Sequence, residues 1–230
     1  MHTILAVAAA HERYHDMTQI RFGQRPRFLG LLAIASFDAT DPRDAWPLAA
    51  PSSEDLEWFT LSEGKKAVWK LTNPLRPGGL FSPMAHEYAA INLTLPRSGA
   101  EDMEPWLASL CNINESSTAD NNPYFAAAHN LTQLQNNAAK GMERICFVSQ
   151  SRDQFLELLR AKDRVALVLL GMWYESVERE CWWVERRAKV EGSGIRAFLS
   201  GCYHDGGELL DLLDSADGRA EGKERLQMVE

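Results

Sequence analysis

Residues 11–15, His11-Glu12-Arg13-Tyr14-His15, fit the pattern H-E-x-x-H. On a helix, two histidines four residues apart face the same way and can hold a zinc ion, while the glutamate between them acts as base for an attacking water. Such a site needs a third ligand. The extended metzincin pattern does not supply it, because Thr18 stands where the glycine belongs and Arg21 where the third histidine belongs. Glu54 or Glu57 could complete the set, but neither sits in a recognisable motif. Arg13 places a cation beside the proposed metal, and the stretch ahead of the motif is too short to form the sheet edge that orients a peptide. The spacing is therefore read first as the polar end of an amphipathic helix, with a zinc hydrolase as the remote alternative.

No other cluster carries chemistry. His2, His86, His129 and His204 have no partner at ligand or triad spacing, and no G-x-S-x-G, Walker loop or G-x-G-x-x-G is present. Gly78-Gly79 after Pro77 reads as a turn rather than a phosphate cradle. The cysteines Cys111, Cys146, Cys181 and Cys202 are tens of residues apart, which argues against structural zinc and against a disulfide framework and points to a reducing compartment. No catalytic residue, no metal ligand and no cofactor is expected, and no ligand-binding residue can be named.

The balance of charge is acidic, −8 over 230 residues. A chain of that charge lacks the clustered Lys and Arg that grip a phosphate backbone, so direct DNA binding by it is not expected. Arg186, Arg187 and Lys189 are offset by Glu185 and Glu191 and read as a solvated helix end. The start, MHTILAVAAA, has a short apolar run but no basic flank, which argues against a secretory signal. The longest apolar run, Val165–Tyr174, is about half of a membrane span. Seven tryptophans stand out, and most of them are expected in the core.

The elements that must position these residues are helical throughout. An Ala-rich helix over roughly Thr3–His15 is followed by an apolar one over Phe28–Phe37 and a loop broken by Pro42, Pro47 and Pro51. Ser52 or Ser53 is expected to cap a helix running to Leu71, with Glu54 and Asp55 in its first turn. Short helices follow around His86–Leu93 and Glu104–Ile113. Asn122 with Pro123 opens a long helix to about Phe147, and Ser151 with Gln154 forms a capping box for a helix bearing Phe155, Leu158 and Leu159. A helix apolar on every side then spans about Asp163–Val190 and carries Trp173, Trp182 and Trp183. Gly192 and Gly194 are expected to interrupt it before a last helix with Ile195, Phe198 and Leu199. Residues 1–213 form one all-α, multi-helix bundle, and residues 214–230, charged and poor in apolar groups, form a disordered tail.

Four passages resemble the regulatory domain of fungal binuclear zinc-cluster transcription factors, in the branch of the sterol-uptake regulators. Ile4–His11 is similar to its Ala/Leu-rich first helix. Leu29–Leu71, with DPRDAWPLAAPSSEDLEWF followed by LSEGKKAVWKLTNPLRPGGLF, is the most telling match. Asn122-Pro-Tyr-Phe125 is similar to the start of its mid-domain helix, and Phe155–Val190 to its Leu-rich helix pair ending in Trp-Trp and basic residues. The resemblance implies a non-catalytic nuclear effector domain, with the cytoplasm as second location. Its partners are the transcriptional machinery or a full-length relative, and its effector is a small apolar ligand such as a sterol, held near the Trp173–Trp183 and Phe28–Phe37 segments. The six-cysteine DNA-binding module of that family is missing, as in an N-terminally truncated member. A helical scaffold that only makes protein contacts is the alternative.

Overall fold

A computed structural model of the chain describes residues 46–52, 55–59, 73, 75–78, 82, 95–136, 144, 147–148, 153–178 and 181–202. Among them there is no strand, and five helices are delimited: α1 Pro105–Leu110, α2 Phe125–Asn136, α3 Asp153–Arg160, α4 Arg164–Glu178 and α5 Trp182–Cys202. The expectations for His11–His15, Phe28–Phe37, His86–Leu93, Ser151 and the 214–230 tail lie outside the described residues. An all-α architecture holds for the part that is described.

Helix α1 begins on Pro105, whose missing N–H is one the first turn has no use for. It ends on Asn112 in the left-handed region (φ 51°), with Ile113 N–H bonded to Ala108 O at 2.8 Å and Asn112 N–H to Ser109 O at 3.2 Å. The following loop is fastened by its own short polar side chains, for example Asn114 Oδ1 to the Ser116 N–H at 3.0 Å and Asn121 Oδ1 to the Thr118 N–H at 2.7 Å. Asn122 ties the end of α1 to the start of α2. Its amide donates to Cys111 O at 2.9 Å and its Oδ1 accepts from the Tyr124 N–H at 2.9 Å. That local turn delays the helix expected from Pro123 until Phe125.

Helices α3 and α4 are joined by a sharp reversal. Lys162 (φ 56°) and Asp163 close the end of α3 through bonds to Leu159 O and Leu158 O, both 2.9 Å. Asp163 Oδ1 then caps α4 by accepting the Ala166 N–H at 2.9 Å. From Val165 to Tyr174 every residue of α4 is buried, as its unbroken apolar run requires. The helix packs most extensively on α5 and also against α2 and α3.

Three expectations are corrected. The helix of Asp163–Val190 is two helices: α4 ends at Glu178, and α5 starts at Trp182 with the Val184 and Glu185 N–H groups on Cys181 O. A straight helix would leave the Val184, Ala188, Ile195 and Leu199 stripe in water, whereas folding back buries all four residues. Secondly, Gly192 and Gly194 lie inside α5 rather than ending it. Gly194 stands where a neighbour comes close, since a Cβ there would meet Trp46 O at 3.3 Å, whereas one on Gly192 would make only ordinary contact with Tyr174 Cβ at 3.8 Å. Thirdly, the helix placed from Ser52 or Ser53 starts later. Asp55 Oδ2 accepts the Ser52 N–H at 2.9 Å, Leu56 is left-handed (φ 59°), and helical backbone appears at 57–59, beyond which the stretch to Leu71 is outside the described residues.

Candidate functional site

The antiparallel return of α5 along α4 brings three polar side chains into the interior. Tyr174 of α4 donates its hydroxyl to Glu191 Oε2, and Arg187, one turn before Glu191 on α5, donates Nη1 to Glu191 Oε1. All three are buried, Tyr174 to 1%, Glu191 to 4% and Arg187 to 8% exposure, so this is an ion pair removed from water and not a surface one. Burial pushes the Glu191 carboxyl above its usual range against the pull of Arg187. Burial and the adjoining Glu191 hold the Tyr174 phenol well above 10. Both oxygens of Glu191 are therefore engaged, and the phenol stays protonated at any ordinary pH.

The reading of Arg186, Arg187, Lys189, Glu185 and Glu191 as a solvated helix end is half corrected. Lys189 pairs with Glu185 on the outer face and Arg186 is exposed, but Arg187 and Glu191 point inward. A signal for this was present: Val184, Ala188, Glu191 and Ile195 fall at helical spacing on one stripe, so Glu191 sits on the apolar face.

A column of rings begins at the guanidinium. Arg187 Cζ lies 5.6 Å from the Trp58 ring centre, Trp58 stacks on Trp173 (5.8 Å, 9°), and Trp173 stacks on Phe147 (5.4 Å, 13°). Phe147 meets Phe155 edge-on at 5.9 Å. The Trp173 indole donates to Arg144 O at 2.6 Å, and Arg144 Nη1 returns to Ser176 Oγ and O at 2.6 and 3.0 Å. The expectation of a ligand pocket beside Trp173 meets a position where that ring is covered by the chain's own aromatics. Its other proposed wall, Phe28–Phe37, and the side chains of Trp182 and Trp183 lie outside the described ones.

A second polar junction links the ends of α1, α2 and α4. Tyr124 donates its hydroxyl to Asp163 Oδ1 at 3.0 Å, the same oxygen that caps α4. Burial and that carboxylate raise the Tyr124 phenol, and burial followed by Asp163 pushes the Cys111 thiol up to about 12. A thiol so held has almost no thiolate at neutral pH and is a packing group, not a nucleophile. On α2, His129 shares a 2.9 Å hydrogen bond with Gly99 O and packs on Phe125, while burial lowers its pKa below 6.5.

Comparisons with protein-family models, with curated proteins and with solved structures give no match. Function therefore has to be argued from the residues. Among the described residues no group of three or more His, Cys, Asp or Glu side chains is placed to hold a metal, and His11, Glu12 and His15 lie outside them. No described helix is long and apolar enough to cross a membrane.

Proposed function

We propose that this chain is a helical regulatory domain related to the fungal zinc-cluster transcription factors, acting by binding rather than by catalysis. The observation that supports it is the enclosure of α4. A helix buried from Val165 to Tyr174 and packed against other helices fits the helical effector domain that the resemblance implies, and it lies in one of the passages that carry the resemblance. The polar groups brought inside serve junctions between helices: Glu191 is bonded on both oxygens, and Asp163 is shared between a cap and Tyr124. In this reading the domain is nuclear and meets transcriptional partners or a full-length relative, and DNA is read by another part of the assembly.

Two versions of the reading differ in their partner. As a sensor it takes a small apolar ligand such as a sterol. As a scaffold it takes only protein, and the ring column that fills the space beside Trp173 favours the scaffold. Thermal unfolding in the presence of ergosterol separates them, since a ligand bound only to the folded state at about 100 times its Kd adds about 2.7 kcal/mol. A concentration-dependent rise in Tm establishes the sensor. No rise, together with a dimer or a complex in sedimentation, establishes the scaffold. Stoichiometric zinc that is lost in a His15→Ala variant would overturn both in favour of a hydrolase. A basic six-cysteine cluster in frame just upstream of Met1 in the genome would fix the family.

A further inference from the structure

Residues 46–50 lie over α5 as a strap with three attachments. The Trp46 side chain is buried in the core. The Trp46 carbonyl and the Pro47 ring occupy the space left by Gly194, where an added Cβ would stand 3.3 and 3.4 Å from them. Lys162 reaches across from the end of α3 and donates Nζ to Pro47 O at 2.6 Å and Ala49 O at 3.3 Å, with the ammonium 5.4 Å from the Phe198 ring centre on α5. Between the two tethered carbonyls, Leu48 is turned to solvent, 51% exposed.

Two of these attachments work against themselves. The Trp46 indole N–H is buried and has no hydrogen-bond partner, so the plug is seated with one donor stripped of water and unrewarded. Lys162 holds a left-handed backbone (φ 56°) at a helix-ending position that glycine fills more easily, and what the lysine supplies in return is the reach of its ammonium. The strap is thus fastened by one side chain's charge-assisted bonds and by a plug that is not fully satisfied. The α4–α5 pair beneath it is fastened by a buried, largely apolar interface whose inward polar groups, Tyr174, Arg187 and Glu191, are bonded to one another.

We propose that residues 46–50 form a releasable strap, with Lys162 as latch and Trp46 as plug, which opens while α4 stays enclosed. The inference stands apart from the proposed function, because it uses only the contacts of the strap. Opening is read by the rate at which chymotrypsin nicks the full-length chain after Leu48, set against the urea midpoint followed by circular dichroism. Cleavage through an opening segment tracks the population of the open form. Lys162→Met keeps the stem over Phe198 and removes the donors; it is expected to speed nicking at least tenfold, beyond any change that its urea midpoint accounts for. Trp46→Phe keeps a ring and removes the unpaired donor, and is expected to slow nicking several-fold. The strap is refuted if Lys162→Met leaves the rate unchanged or changes it only in step with global unfolding. It is refuted equally if Trp46→Phe speeds nicking. Should Lys162→Met not fold, the sign of the Trp46→Phe effect decides alone.

Discussion

Between α4 and α5 a buried carboxylate has a donor on each oxygen, Tyr174 on one side and Arg187 on the other. On α2, Asn130 is buried just as deeply, yet neither its amide nitrogen nor its oxygen has a partner. The first arrangement fixes how two helices lie against each other, because only one register brings residue 174 opposite 191. The second fixes nothing and leaves a polar group stripped of water, a state worth about 1–3 kcal/mol of destabilisation. Burial of a polar residue is thus not by itself a sign of a site. What matters is whether the partners are there.

The contrast can be broken most forcefully at Arg187. Arg187→Met leaves Glu191 buried without its counter-charge and is expected to destabilise the fold by about 3–5 kcal/mol in urea unfolding. Replacing the whole cluster (Tyr174→Phe, Arg187→Met, Glu191→Leu) is expected to recover most of that loss, since a buried ion pair exchanged for apolar groups is often neutral. A triple variant as unstable as the single one would mean that the cluster does more than join two helices. Tyr174→Phe alone removes one hydrogen bond to a charged acceptor and is expected to lose about 1.5–3 kcal/mol. Asn130→Leu works in the opposite direction: it removes the unpaired amide at similar volume and is expected to add about 1–3 kcal/mol. A loss of stability there would show that Asn130 is satisfied in solution.

The same two regions respond to opposite ends of the pH scale. His129, next to Asn130, has its pKa lowered by burial from 6.5, so the unfolded chain binds the proton first and stability falls as pH drops below 6.5. Tyr174 is raised well above 10, so the folded chain holds its proton longer and stability falls as pH climbs past 10. Cys111, shifted from 9.0 to about 12, adds an earlier alkaline loss that begins near pH 9. Glu191, raised from 4.5, favours the folded state most below that value and contributes less as pH rises through its folded pKa. Unfolding midpoints measured across pH are expected to show a flatter acid limb in His129→Leu and a flatter limb above pH 10 in Tyr174→Phe.

Much of the helical inventory was legible because it rests on local rules. The run Val165–Tyr174 has no polar face, so it had to be interior, and Pro105 had to sit in a first turn, whereas the Asp163 cap emerged only from the structure. The break after Glu178 was not legible. No proline or glycine marks it, and it exists because the stripe on α5 needs α4 to cover it. Gly192 and Gly194 misled for a related reason: locally they weaken a helix by about 1 kcal/mol each. In the folded chain Gly194 makes room for the strap at Trp46.

The sequence by itself determined that the described part is helical and that Trp173 sits at its centre, because backbone propensity and apolar periodicity act within a few residues. Only the tertiary structure decided that Arg187 and Glu191 turn inward to Tyr174, that Lys162 holds residues 46–50, and that Asn130 is left unpaired. Those outcomes depend on which groups from distant parts of the chain meet where water has been excluded, and no local pattern records that.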